Sequence, residues 1–331
     1  MARTMTGRTV RTDRQESSLT SGKDLLSVHE IPCSQIAHLL KLGEKFKSMR
    51  RNGIPHQYLT GATLGLVFEK PSTRTRVSFE AGMNQLGGQS LFLSASDIQL
   101  CRGETVGDTA RVLSRYLDGI VVRTYAHATA EEWAREATVP VINGLTDLYH
   151  PCQVLSDLLT IREKKGRLKG VKIVYVGDGN NVANSLIEAA AKMGMVIHVA
   201  CPSRYQPDAA TVARARSQAK ETDAEIEVTD DPLAAVKDAD VVYTDVWISM
   251  GREREQARRL KALGPYQVNE RLVKAARPDA IVMHCLPAHR GQEITAGVLD
   301  GRQSVVVDQA ENRLHMQKAI LTEWLSAVRR H

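Results

Sequence analysis

Three hydroxyls and two guanidiniums stand side by side in Ser72-Thr73-Arg74-Thr75-Arg76. The segment follows an apolar run at 63–68 that reads as a short buried strand, and it precedes a helical stretch beginning near Val77. A turn between a strand and a helix start leaves backbone N–H groups free, and the helix dipole there favours an anion. Arginine grips phosphate oxygens in a fork, so the cluster reads as a phosphate cradle. No Gly-x-x-x-x-Gly-Lys is present, which excludes the loop of a nucleoside triphosphatase. A Ser-capped helix with solvated arginines would account for Ser72 alone, but not for three adjacent hydroxyls.

Four further places could do chemistry. Arg123 closes the apolar run Gly119-Ile120-Val121-Val122, and residues at the carboxyl ends of parallel strands point into the ligand crevice; the competing reading is an ordinary surface arginine. His150-Pro151-Cys152-Gln153 reads as a helix start with Pro at the first position. His150 and Gln153, three apart, can then project from one end of that helix; a capping His with a solvated Gln is the alternative. In Asp245-Val246-Trp247-Ile248-Ser249-Met250-Gly251 the carboxylate suits an α-ammonium, and Ser249 with backbone N–H groups suits a carboxylate. Gly251 and the polar run 252–259 read as a loop that closes over substrate, or as a Trp-anchored surface loop. Cys285 follows the strand-like run 280–284 beside Leu286-Pro287, where a free thiol serves either a site or the core.

These residues need a frame, and the apolar pattern supplies one. Strand-like runs fall at 64–68, 90–93, 119–123 and 139–142, with helical stretches between them at 105–116 and 130–136. A second series follows at 171–176, 196–200, 241–244, 280–284 and 304–307. Val182, Leu186, Ala190 and Met193 recur at helical spacing behind the first of these. Alternating βα units imply an α/β chain of two doubly wound parallel-sheet domains with an active-site cleft between them. The boundary is expected within 145–165, where Leu155, Leu158, Leu159 and Ile161 form a bridging helix. Gly177-Asp178-Gly179-Asn180-Asn181 superficially matches a dinucleotide fingerprint, but Val182 stands where a third Gly belongs. The next strand, ending at Cys201, carries no acid for a ribose, so a nicotinamide oxidoreductase is a poor reading.

At 331 residues, with 43% hydrophobic and 25% charged side chains, the chain has an ordinary globular composition. No run approaches the ~18 uninterrupted apolar residues of a membrane span. The net charge of +6 is local. Residues 1–23 hold five basic and two acidic side chains and residues 41–51 five basic and one acidic, so the remainder is −1. No aromatics interleave these charges, which argues against nucleic acid. Five cysteines without Cys-x-x-Cys spacing argue against a disulfide framework or structural zinc. The Arg-, Thr- and Ser-rich start lacks the apolar core of a secretory signal, and its two acids favour a disordered tail over a mitochondrial transit peptide.

Ser72-Thr73-Arg74-Thr75-Arg76 also resembles the carbamoyl-phosphate motif of the transcarbamoylase family. His150-Pro151-Cys152-Gln153, Asp245-x-x-x-Ser249-Met250-Gly251 and His284-Cys285-Leu286-Pro287 match that family's later motifs in order, the last two resembling its ornithine-using branch. The resemblance runs from about Leu25 onward. It implies transfer of the carbamoyl group of carbamoyl phosphate to L-ornithine, giving L-citrulline and phosphate in arginine metabolism, biosynthetic rather than catabolic. It implies that Ser72, Thr73, Arg74, Thr75, Arg123, His150, Gln153, Cys285, Leu286 and Arg313 hold carbamoyl phosphate, with Gln99 reaching it from a neighbouring subunit. Asn181, Asp245, Ser249 and Met250 would hold ornithine, and Arg123, His150, Cys285 and Arg313 would be catalytic. No metal or cofactor is implied. The expected division is a tail at 1–23, a carbamoyl-phosphate domain at 24–150, an ornithine domain at 151–312, and a final helix at 313–331 returning to the first domain. A homotrimer or dimer of trimers in the cytoplasm is expected, or in the mitochondrial matrix if the tail is a transit peptide. One departure bears on the shared loop: Cys101 stands where a small Gly is expected two positions after Gln99. The alternatives are a sister enzyme using putrescine, N-acetylornithine or aspartate, and a non-enzymatic binder of the same fold.

Overall fold

The computed structural model describes residues 23–248 and 255–328. In chain order the first half runs α1 (Cys33–Arg51), β1 (Thr63–Phe68), α2 (Thr73–Gln85), β2 (Gln89–Ser94), α3 (Val106–Leu113), β3 (Gly119–Arg123), α4 (His127–Glu136) and β4 (Val141–Leu145). α5 (Pro151–Lys165) links it to β5 (Lys172–Val176), α6 (Asn181–Met193), β6 (Val196–Ala200), α7 (Ala209–Thr222), β7 (Glu225–Thr229) and α8 (Pro232–Val236). The chain continues through β8 (Val241–Thr244), α9 (Gln256–Leu263), α10 (Glu270–Lys274), β9 (Ile281–His284) and α11 (Ala296–Leu299) to α12 (Val306–Val328).

Both sheets are wholly parallel, as the alternating pattern predicts, and their orders are β2-β1-β3-β4 and β7-β6-β5-β8-β9. Each order reverses once, between β1 and β3 in the first sheet and between β5 and β8 in the second. A reversal sends the outgoing connections to opposite faces and opens a crevice at the strand ends, where ligands bind in such sheets. The central strands are covered on both sides: every residue of β3 and β8 is buried.

Two of the strand readings change. The run 304–307 makes a single bridge, Ser304 to Val282, and then turns into α12. Its valines look β-like, but Val282 engages only the Gln303 carbonyl and the Val305 N–H, so no ladder forms. α12 therefore begins seven residues before Arg313. The strand that was missed, β7, lies at a sheet edge with a mostly polar sequence, Glu225-Ile226-Glu227-Val228-Thr229, whose alternation is weak. The Ser72 hydroxyl accepts from the Thr75 N–H and caps α2, so that helix starts at Thr73, earlier than expected.

The two halves share one apolar core. α12 packs against α1, α2 and α5, burying Leu321, Trp324 and Leu325 among Leu39, Phe46, Leu155 and Leu158. Each such side chain contributes roughly 1.5–3 kcal/mol by leaving water. Gly119 lets α12 sit against the sheet, since a Cβ there would lie 2.9 Å from Leu325 Cδ1. Of the expected tail, 1–22 lies outside the described residues, whereas Lys23 donates to the Ala134 and Ala137 carbonyls. Among the described residues no helix is long and apolar enough to cross a membrane.

Candidate active site

The two crevices face each other across a cleft of about 970 Å³. On one wall β1 and β3 end together, with Phe68 paired to Arg123, and the chain leaves β1 for the α2 N-terminus. No acidic side chain occupies the first turn of α2, so its positive end is unopposed. Arg313, from α12, reaches the same place: its Nη2 donates to Thr75 Oγ1 at 2.7 Å and its Nη1 to Gln153 Oε1 at 3.0 Å.

This wall holds more positive charge than it can neutralise. Arg123 is 6% exposed, and its Nε, like that of Arg313, is buried without a partner. Burial first, then the Arg313 and Arg74 charges, holds the Arg123 pKa down to about 10. Burial, then Arg313 and Arg123, pulls His150 well below the usual imidazole range, so its ring is neutral at physiological pH. His150 Nδ1 is also buried and unpartnered. Unpaired buried polar groups cost free energy. A phosphate oxygen and a polar acyl group would satisfy these.

The opposite wall is built at the β5/β8 reversal. Asp245 Oδ1 accepts from Cys285 Sγ at 2.9 Å and from the Val246 N–H at 2.8 Å, and its Oδ2 accepts from Asn180 Nδ2 at 2.7 Å. Asn180 is itself fixed, because its Oδ1 caps α6. Asn181 Nδ2 donates to the Thr146 carbonyl at 2.6 Å. Burial, then the facing Asp245 carboxylate, pushes the Cys285 thiol well above its ordinary value. Protonated, it is a hydrogen-bond donor and a poor nucleophile.

His284 sets the loop that carries this thiol. Its Nδ1 accepts from the Leu286 N–H at 2.9 Å, which makes Nε2 the donor to Glu293 Oε1 at 3.1 Å. Both side chains are fully buried. Leu286 is thereby held at φ +58°, before a cis Pro287. Asp245, His284 and Cys285 lie close enough together to suggest a metal. With both ring nitrogens of His284 engaged, however, the imidazole has no lone pair left for an ion.

Ser72, Thr73, Arg74, Thr75, Arg123, His150, Gln153, Asn181, Asp245, Cys285, Leu286 and Arg313 all line the cleft. Gln99 does not: it is exposed, on a 3₁₀ turn (Gln99–Arg102) beyond β2. Ser249 and Met250 lie outside the described residues. Three groupings escape the sequence reading. Lys70 is buried against Asp147 and 4.0 Å from the Tyr125 ring centroid, bracing the start of the cradle. Arg259, 2% exposed, donates to Asp178 Oδ2 at 2.8 Å and to the Trp247 carbonyl at 3.0 Å, steadying the chain beyond Asp245. Asp157 lies beneath Gln153, accepting from Gln153, Gln309 and Tyr243. Local signals touched Asp178, inside the glycine run read as a failed dinucleotide fingerprint, and Arg259, in the polar run 252–259 read as a loop, whose end from Gln256 folds as α9 and buries that arginine.

Both halves of the chain match known proteins. The profile described as "Aspartate/ornithine carbamoyltransferase, carbamoyl-P binding domain" matches residues 23–163, and the "Asp/Orn binding domain" of the same description matches residues 169–323. An ornithine carbamoyltransferase of Syntrophus aciditrophicus is 57% identical over 299 residues, covering 90% of this chain and 98% of that one. A Pyrococcus furiosus protein named "Ornithine carbamoyltransferase, anabolic" is 54% identical over 309 residues, 93% of this chain and 98% of its own. The solved ornithine carbamoyltransferase of P. furiosus superposes with a TM-score of 0.90 at 55% identity, covering 92% of this chain and 97% of that one.

Proposed function

The chain belongs to the aspartate/ornithine carbamoyltransferase family, and from that premise we propose that it transfers the carbamoyl group of carbamoyl phosphate to the side-chain amine of L-ornithine, giving L-citrulline and phosphate. One observation carries the reading: under-neutralised arginines and a neutral His150 face, across a single cleft, the paired Asp245 and Cys285.

Ser72, Thr73, Arg74, Thr75 and Arg313 hold the phosphate in this scheme. Arg123, Thr75 and His150 surround the carbamoyl oxygen as it gains charge, and Gln153 adds a carboxamide beside them. Ornithine lies along Asn181, Asp245, Ser249 and Met250, with its side-chain amine toward Cys285, and Leu286 lies beside the carbamoyl group. An alkylammonium has no lone pair and a reference pKa of about 10.4, so one proton must leave before attack. The free amine then adds to the carbamoyl carbon, the phosphate departs with the C–O bonding pair, and the attacking nitrogen gives up its surplus proton, which leaves with the phosphate. A thiol held protonated against Asp245 argues against a covalent enzyme intermediate. Catalysis comes from positioning and preorganised charge.

We place the division between the carbamoyl-phosphate half, 24–150, and the ornithine half, 151–312, with residues 313–331 belonging with the first. The reading extends to arginine biosynthesis in the cytoplasm and to a homotrimer or dimer of trimers. The exposed apolar side chains of Leu91 and Val77 suit such an assembly. The test is citrulline formation from carbamoyl phosphate with ornithine, putrescine, N-acetylornithine and aspartate as parallel acceptors. Turnover with ornithine alone supports the proposal. Preference for another amine overturns the acceptor, and no turnover leaves a binder of the same fold.

A further inference from the structure

Asp157 is a fully buried carboxylate that pairs with no arginine or lysine among the described residues. Its Oδ1 accepts from Gln153 Nε2 at 2.9 Å and from Gln309 Nε2 at 2.8 Å, and its Oδ2 accepts from the Tyr243 hydroxyl at 3.0 Å. A side-chain amide has one oxygen end and one nitrogen end. Gln309 Nε2 donates as well to the Tyr243 hydroxyl at 3.0 Å, which Asp157 itself holds, so anchoring both nitrogens here decides where both oxygens point. Gln153 Oε1 faces Arg313 Nη1 at 3.0 Å, and Gln309 Oε1 accepts from the His284 N–H at 3.0 Å, one residue before Cys285.

We propose that Asp157 is a positioning residue whose single oxygen sets two amides at once, one steering Arg313 toward the phosphate and the other fixing the backbone that presents Cys285. The inference rests on the functional reading above and adds a residue that coordinates its two halves. Turning Gln153 over would set an amide N–H₂ against the Arg313 guanidinium, and turning Gln309 over would set one against the His284 N–H. The Asp157 carboxylate forbids both, because an ionised carboxylate only accepts.

The experiment compares Asp157→Leu, Asp157→Asn and Gln309→Met, measuring KM for each substrate, kcat, and inorganic phosphate binding by calorimetry. Leucine keeps the branched shape and removes both acceptors. It should raise KM for carbamoyl phosphate and for ornithine about tenfold each and weaken phosphate similarly, the loss of roughly one hydrogen bond to a charged group. Asparagine keeps one oxygen where both glutamines converge and should restore each constant to within about threefold of wild type. Gln309→Met should raise KM for ornithine alone. Wild-type constants in Asp157→Leu, or an asparagine variant as impaired as the leucine one, would overturn the proposal; the latter would mean that charge rather than amide direction matters. Should Asp157→Leu fail to fold, Gln309→Met decides, and unchanged ornithine kinetics there refute the relay. Failure of the functional reading would show separately, as absence of citrulline from the wild type, and phosphate binding would still test the Gln153 arm.

Discussion

Replacing Arg123 with Met should abolish activity and yet make the free protein more stable. Arg123 donates no hydrogen bond to any described residue, and its Nε is buried unpaired. Burial, then the Arg313 and Arg74 charges, brings its pKa down to about 10, so folding disfavours the charged form by roughly 3 kcal/mol at ~1.4 kcal/mol per unit. Because the folded value is depressed, that cost is relieved only as pH rises above about 10 toward the ordinary guanidinium range, and at neutral pH it is present in full. Methionine keeps most of the apolar stem, so roughly 1–3 kcal/mol should be recovered, or about 5 °C in Tm. The assay is unfolding at pH 7 with and without saturating carbamoyl phosphate, whose carbonyl oxygen Arg123 faces. Wild type should gain about 2.7 kcal/mol at a hundredfold excess over Kd, whereas Arg123→Met should gain far less. A variant less stable than wild type without ligand, or an equal response of both to carbamoyl phosphate, would refute the idea that this arginine is held at a cost for the ligand.

Other outcomes follow from the same geometry. Ser72→Ala removes the α2 cap and should cost about 1 kcal/mol in denaturant unfolding, with a higher KM for carbamoyl phosphate. Cys285→Ala should raise KM for ornithine while leaving phosphate binding by calorimetry unchanged, since the thiol's partner is Asp245. Glu188 is pushed up to about 7, first by burial, so the folded state holds a proton that the unfolded state releases near 4.5. That raised value contributes stability below about 4.5 that is lost as pH rises through 7. Glu188→Gln should therefore be more stable than wild type at pH 8, by up to roughly 3 kcal/mol, and flatten the dependence between pH 5 and 8.

The sequence was most legible where chemistry and topology coincide. Ser72, Arg123, Asn181 and Asp245 each follow an apolar run that proves to be a strand beside a reversal of sheet order, so both walls could be read locally. Periodicity misled at 304–307, where β-branched valines begin a helix because backbone pairing beside Val282 ends after one bridge. Partnerships between distant residues left no local trace. Asp178 and Arg259 are 81 residues apart and Asp157 and Gln309 are 152 apart, and each reads alone as an ordinary polar residue on a helix or loop. Their burial is a property of the assembled fold, and composition does not encode it.

The bond from Arg313 to Thr75 spans 238 residues of chain. At a synthesis rate of about 5–20 residues per second, Arg313 leaves the ribosome roughly 10–50 s after the cradle it completes. During that interval the first sheet can form with its anion loop in place, while the surfaces of α1 and α2 that α12 covers remain bare. A nascent or C-terminally clipped chain would thus keep much of its secondary structure, expose apolar surface to chaperones and proteases, and turn nothing over. Enzymatic activity in this fold certifies that translation reached its last helix.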